Sequence, residues 1–252
     1  MKHILNFNAH THDFWPIYDA IVKFYPIGLR RDEQSIFFEY PGIKDLEKVV
    51  VDVIHRENEF YQSWLAFERD AASTFNKECQ GTTMGQQPAL STDLILEKTE
   101  SENFLNIKKL RINLSLVGNF FTIYGIDESA SLERQDGQVT RSYYAINTVT
   151  VSPHKEFEQP FKEVQSLLEA RFSEYKFIPF AIHSMIITGL RVRYSDKEVC
   201  TVYDALFNGN LDYLGEMTFK RGDMFYGYEE YWRIPNTEDE DIIVSISPPP
   251  TT

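Results

Sequence analysis

The feature that most constrains the fold is a run of alternating residues that ends in a tight turn. Apolar side chains stand at positions 110, 112, 114 and 116, with polar side chains between them. This period of two is typical of a half-buried β-strand. Gly118 and Asn119 then supply a two-residue turn, after which residues 120–126 return as a second strand. Strands joined by so short a turn are antiparallel, because a parallel crossover needs a dozen or more residues.

The second half of the chain follows the same pattern. Residues 139–151 read as a long strand, and further hairpins are predicted at 186–207 and 217–234. Pro160 favours the start of a helix, because the first turn of a helix has no use for the N–H that proline lacks. The sequence therefore predicts an α+β fold, with an antiparallel sheet built from hairpins and one amphipathic helix in the middle of the chain.

The N-terminal part is predicted to be helical. Apolar residues from Ile43 to about Phe75 recur at helical spacing, which predicts one long N-terminal helix. The β-branched segment 49–54 favours a strand instead. The helix is preferred, because charged residues interrupt the apolar pattern on one side.

Composition divides the chain into four segments. They are an N-terminal helical segment at 1–77, a loop or linker at 78–102, an antiparallel sheet plus helix at 103–235, and an acidic, proline-rich tail at 236–252. Segment 78–102 is predicted as a loop because it contains Gly81, Gly85 and Pro88 among many Ser, Thr and Gln residues. A single domain that includes all four segments is the alternative.

Charge and composition limit the classes of function. The 252 residues carry a net charge of −13, and 42% of them are hydrophobic, which excludes a disordered chain. The acidity disfavours nucleic acid and anionic membranes as partners. Cys79 and Cys200 form no paired motif, so neither a disulfide scaffold nor a zinc knuckle is indicated. Without a signal peptide or a membrane-length apolar run, a soluble cytoplasmic protein is expected.

Two histidines one residue apart, His10 and His12, are the sharpest candidates for chemistry. On an extended chain both imidazoles point the same way and can share a divalent metal such as zinc. The pattern resembles the His-x-His that follows the first strand of amidohydrolase and PHP-type metal-dependent hydrolases. The later ligands that this resemblance implies are His55, His154, His183 and Asp204. It also implies a (β/α)₈ barrel, which the predicted hairpins contradict, because such a barrel needs a helix between successive strands.

No other catalytic signature is complete. The sequence contains no nucleophile elbow, phosphate-binding loop or dinucleotide fingerprint. We therefore expect a binding protein without a cofactor, with a metal-dependent hydrolase that uses His10 and His12 as the alternative. A scaffold component of a larger assembly is a third possibility.

Negative charge and aromatic residues concentrate near the C-terminus. From Asp196 onward, twelve acidic residues stand against four basic ones, a net charge of −8. Tyr and Trp are favoured at interfaces, and carboxylates around them speed the encounter with a cationic partner. The residues expected to bind such a partner are Glu216, Asp223, Tyr228, Glu229, Glu230, Tyr231 and Trp232. The alternative for this segment places Tyr226 and Trp232 in the core and leaves the acids in water.

In character the chain resembles the immunity proteins with which bacteria neutralise toxins that act in the cytoplasm. Like many of them it is acidic, of modest size and without catalytic motifs. The resemblance is one of composition. It implies a toxin inhibitor that occupies the cationic cleft, or an adjacent exosite, of a basic protein.

Overall fold

Residues 110–115 of the alternating pattern lie in a β-strand, as predicted. The strand is not half-buried, however, because the polar residues Arg111, Asn113 and Ser115 are buried as well. The computed structural model describes residues 6–7, 11–29, 34–54, 58–83, 85, 87–136, 138–193, 195, 197–207, 218–235 and 244–245. The strands are β1 (Asn6–Phe7), β2 (Cys79–Gly81), β3 (Ala89–Glu100), β4 (Phe104–Ser115), β5 (Phe120–Gln135), β6 (Gln138–Thr150), β7 (Lys176–Phe177), β8 (Lys220–Arg221) and β9 (Val244–Ser245). The α-helices are α1 (Trp15–Phe24), α2 (Gln34–Glu39), α3 (Pro41–Ile54), α4 (Glu59–Phe75), α5 (Glu158–Arg171), α6 (Phe180–His183), α7 (Val202–Leu206) and α8 (Tyr228–Trp232).

The main sheet is mostly antiparallel and curled. Its strand order is β2-β3-β4-β5-β6-β8, and β7 pairs with β5. Pairing from β2 to β6 is antiparallel, whereas β7 and β8 each add two residues in parallel. The predicted α+β class with an antiparallel sheet is confirmed. Strands β1 and β9 form a separate antiparallel pair.

Helices cover both faces of the sheet. On one face, Trp64 of α4 and Phe161 of α5 pack with Leu110 and Ile112 of β4. On the other face, side chains of α1 and α7 pack with Tyr124 and neighbouring residues of β5. The predicted mid-chain helix is α5, which begins two residues before Pro160 and buries its apolar face. The central strands are therefore buried on both sides.

The prediction of one long N-terminal helix is wrong. Two helices, α3 and α4, occupy the predicted span, and the β-branched segment 49–54 lies in α3. Asn58 caps the start of α4, because its side-chain oxygen accepts hydrogen bonds from the N–H groups of Phe60 (2.9 Å) and Tyr61 (3.2 Å). Such a cap satisfies N–H groups that have no partner within the helix. His55 lies outside the described residues.

Segment 78–102, predicted as a loop or linker, contains β2 and β3. Its polar residues suggested exposure, but several of them are buried with partners inside the protein. Ser91 accepts a hydrogen bond from the Thr82 hydroxyl at 2.9 Å, and Asp93 binds Arg111. Tertiary partners therefore override the loop-like composition. The division of the chain into domains stays a prediction.

The hairpins predicted at 186–207 and 217–234 are also wrong. Helix α7 occupies the end of the first segment and α8 lies within the second. A capping box between Thr201 and Asp204 begins α7, because each side chain binds the backbone N–H of the other residue.

Within the described residues, no helix is both long and apolar enough to cross a membrane.

Candidate partner-binding surface

Helix α8 is tied to the N-terminal segment. The Asp13 N–H donates to the Trp232 carbonyl at 3.0 Å, and the Ile234 N–H donates to the Thr11 carbonyl at 2.7 Å. These bonds flank an antiparallel bridge on which His12 lies opposite the residue that follows α8. The two segments named by sequence analysis, the histidine segment and the acidic aromatic one, therefore lie side by side.

The turn before α8 is fixed by side-chain hydrogen bonds and by one glycine. The Asp223 N–H donates to the Ser152 hydroxyl at 2.8 Å, and the Asp223 carboxylate accepts from the Phe225 N–H at 2.9 Å. Gly227 has a φ of +80°, and an added Cβ would lie 2.8 Å from the ring of Phe177. Only glycine combines this backbone conformation with so close a contact.

Trp232, which the sequence prediction placed at the partner surface, lies in the core. Its exposed fraction is 1%, and its indole N–H donates to the Phe177 carbonyl at 2.8 Å. The Lys176 ammonium lies 4.3 Å from the centre of the ring. The alternative that placed this tryptophan in the core is confirmed.

Tyr231 also turns inward and is half-buried. Its hydroxyl donates to the carboxylate of Glu169 and accepts from the Gln165 amide at 2.6 Å. Burial, and after it the nearby carboxylate, raises the pKa of Tyr231 well above its usual range. The Tyr226 hydroxyl donates to the same amide side chain at 2.9 Å. Together these groups join α8 to α5, so Tyr231 has a structural role in the fold.

His12 lies against two of the residues predicted to bind a partner. Its ring centre lies 4.5 Å from that of Tyr228, and its Nε2 lies 3.1 Å from the carboxylate of Glu229. The other oxygen of that carboxylate is 3.4 Å from the guanidinium of Arg233. Nothing in the sequence spacing indicates this contact, because 217 residues separate His12 from Glu229.

Five residues form what we call the α8 surface. They are Asp223, Phe225, Tyr228, Glu229 and Glu230. All are exposed except the half-buried Tyr228. Sequence analysis did not choose Phe225, although 63% of it is exposed and its ring packs against that of Tyr228 at 5.6 Å. Glu216, the remaining predicted contact, lies outside the described residues.

The acidity of the C-terminal part is not all on the surface. Asp204 is 2% exposed, and its carboxylate accepts from the N–H of Thr201 at 2.7 Å and from the ammonium of Lys197 at 3.1 Å. The Asp204 carboxylate therefore stabilises the fold and adds little to the electrostatic potential at the surface. Among the described acids of this part, Glu198, Asp223, Glu229 and Glu230 are exposed.

The Thr11 hydroxyl, the His12 ring and the Glu229 carboxylate follow one another in the order of a catalytic triad. The hydroxyl lies 2.9 Å from Nδ1, on the opposite side of the ring from the carboxylate. Thr11 is, however, only 6% exposed. A nucleophile needs open approach to a substrate atom, so this order supports no acyl-transfer site.

Two of the predicted metal ligands, His12 and His183, lie in different surroundings. His183 is buried in α6 beside Tyr124, Phe180 and Tyr203, whereas the His12 ring contacts Phe14 and Tyr228. Among the described residues, no three His, Cys, Asp or Glu side chains gather as a metal site would require. His10 and His55 lie outside those residues. The His10 and His12 zinc site stays a prediction.

Burial of His183 predicts a pH-dependent stability. Burial lowers the pKa of His183 to about 3, whereas the unfolded chain has the ordinary pKa of about 6.5. Between these pKa values the unfolded state binds a proton that the folded state does not. The stability that neutral His183 contributes is therefore fully present above pH 6.5 and is lost on acidification. We expect the free energy of unfolding to fall by about 1.4 kcal/mol per pH unit below pH 6.5 through this group. Urea unfolding between pH 5 and 7.5 measures the slope.

Two variants separate this effect from other titrations. His183→Gln is expected to remove that part of the slope, since the proton-binding ring is gone. Tyr124→Phe, which deletes the hydroxyl 3.2 Å from His183 Nε2, is expected to lower stability but to keep the slope. An unchanged slope in His183→Gln would contradict the assignment.

The α8 surface presents carboxylates beside an exposed aromatic ring, and that chemistry suits recognition of a cation. Nε2 of its neighbour His12 contacts one oxygen of the Glu229 carboxylate, and the Arg233 guanidinium contacts the other oxygen. The carboxylate of Glu230 is exposed, and no described basic side chain forms an ion pair with it.

Comparison of the chain with protein-family models, with curated proteins and with solved structures finds no match to any of them.

Proposed function

We propose that this chain is an acidic binding protein that neutralises a basic protein partner through the α8 surface, in the manner of an immunity protein. The observation that carries the proposal is the grouping of exposed carboxylates around Phe225, of which 63% is exposed. Because the exposed ring and the carboxylates belong to one surface, a single partner could contact apolar and charged groups together.

The two kinds of side chain have different tasks in this proposal. The ring of Phe225, supported by Tyr228, supplies apolar area that a partner would bury. The carboxylates of Glu229 and Glu230 supply a negative field that orients a cationic partner before contact. The net charge of −13 on the whole chain favours the same class of partner.

Reversing the charge of Glu230 is expected to slow association. Glu230→Lys changes the local charge by two units at an exposed position, so the association rate constant with the basic partner should fall about tenfold at low salt. We would test the products of neighbouring genes as partners and measure rates by biolayer interferometry from 50 to 300 mM salt. The difference between variant and parent should shrink as salt rises.

The matched control is Asp52→Lys, which makes the same charge change at an exposed position of α3. It should slow association much less, because a nearby charge acts more strongly than a distant one. Phe225→Ala should act on the dissociation rate instead, since it removes buried area. Equal slowing by both lysine variants would contradict the α8 surface as the contact, and so would an unaltered rate in Glu230→Lys.

A further inference from the structure

Among the described residues, nothing pairs with the outer edge of β6 over most of its length. Strand β8 pairs with β6 only at Val149 and Thr150. From residue 138 to 148 no described strand lies on that side. Residues 138–145 are all exposed, and no other described segment pairs with them on this side. An open edge presents unpaired N–H and C=O groups and is a template for another strand.

The open edge of β6 carries exposed aromatic residues and a single charge. Its exposed side chains include Val139, Tyr143 and Tyr144, with exposed fractions of 45%, 56% and 60%. Arg141 is the one charged residue between 138 and 148. Proteins commonly protect open edges with lysine, proline or β-bulges. This stretch contains no lysine or proline, and its two register irregularities leave the part between them regular.

The other open edge of the same sheet is protected. Strand β2 pairs with β3 only at residues 92–94, and beyond them β3 carries Glu97, Lys98 and Glu100. Glu97 binds Lys108 at 2.8 Å, and Glu100 forms an ion pair with Arg134. This contrast within one sheet marks the β6 edge as the surface suited to strand pairing.

We propose that the β6 edge pairs with the β6 edge of a second copy of this chain, as antiparallel strands related by a two-fold axis. Register with β5 shifts near residue 140 and near residue 147, and the strand is regular between them. If Tyr143 lies on the axis, Arg141 faces Ala145 of the second copy. The two arginines are then about 14 Å apart at 3.4 Å per residue, which exceeds the screening length of about 8 Å at physiological salt.

Charge complementarity favours a second copy over the basic partner proposed above. The edge offers no carboxylate between residues 138 and 148, and its single charge is positive. A cationic strand would meet Arg141 and gain no opposite charge. An identical edge brings uncharged aromatic residues together at the centre, which contributes cross-strand packing. The charged edge of β3 cannot extend the array, so the assembly closes as a dimer.

The test is the oligomeric state of the full chain. Sedimentation velocity between about 1 and 100 µM, the range of a moderate protein–protein affinity, is expected to show conversion from a 29.4 kDa species to one of twice that mass. A chain that stays monomeric throughout this range would overturn the proposal.

Tyr143→Lys tests whether the β6 edge forms the dimer contact. It places two lysines opposite each other at the centre of the dimer, and like charges so placed are destabilising. The dissociation constant should rise at least about tenfold, with part of the loss recovered at high salt. Thr99→Lys, the matched change on the exposed edge of β3, should leave the dimer unchanged.

Tyr144→Lys, on the opposite face of the strand, is the second variant and should act in the same direction. Thermal unfolding verifies that each variant is folded. A dimer that survives in both folded lysine variants, or one that Thr99→Lys also breaks, would place the contact elsewhere and overturn the assignment to β6.

Discussion

Replacing Arg111 with methionine is expected to lower the free energy of unfolding by about 3–5 kcal/mol, the usual loss when one member of a buried ion pair is removed. Arg111 binds Asp93 through two nitrogens, one at 2.8 Å, and both residues are buried. Methionine fills similar space but leaves the carboxylate without its main partner. Urea unfolding at pH 7 measures the loss.

Arg111 belongs to a network of four buried charges that sums to zero. The ammonium of Lys109 lies 3.1 Å from Asp93 and 2.7 Å from Glu128. Burial alone lowers the pKa of Lys109, but the two carboxylates outweigh it, so the pKa is raised and the group stays charged. Removal of one charge therefore leaves an uncompensated carboxylate inside the protein.

The double variant Arg111→Met/Asp93→Leu is the control. It removes both members of one pair and leaves Lys109 with Glu128, so the network is neutral again. We expect it to be more stable than Arg111→Met alone, since replacing a whole buried pair often costs little. A double variant less stable than the single one would show that hydrogen bonds, and not net charge, determine the loss.

Replacing Trp232 with alanine is expected to lower the free energy of unfolding by about 3–5 kcal/mol, as for other buried large aromatic residues. Its ring packs with Phe14 and Phe120 at 5.9 and 6.1 Å between ring centres, and its N–H is bound to the Phe177 carbonyl. The cavity would loosen both α8 and the N-terminal segment. Chemical unfolding monitored by far-UV circular dichroism gives the loss.

Trp232→Phe separates the ring from the hydrogen bond. It keeps aromatic packing and loses the indole N–H, so the Phe177 carbonyl loses a donor and the cost should be about 1–2 kcal/mol. Trp232→Ala is expected to weaken partner binding only through lost folding. Equal stability of Trp232→Ala and the parent would contradict the burial of this ring.

Part of the candidate site could be predicted from residue types. The acids at 223, 229 and 230 are exposed, as is usual for carboxylates. The inward turn of Tyr231 and Trp232 could not, because the sequence shows neither the Phe177 carbonyl nor Gln165 and Glu169, which bind them. The strand predicted within 217–234 would place alternate side chains on opposite faces. The short helix α8 that forms there instead places them at helical spacing.

The sequence by itself determined the strands around Gly118, the helix near Pro160 and the acidic character, because alternation, turn residues and charge are local properties. Only the tertiary structure decided that the polar segment after residue 78 forms β2 and the partly buried β3, since polar groups of β3 find partners on β4. It also brought His12 to Glu229 across 217 residues. Such contacts depend on where distant segments pack, and no local pattern carries that information.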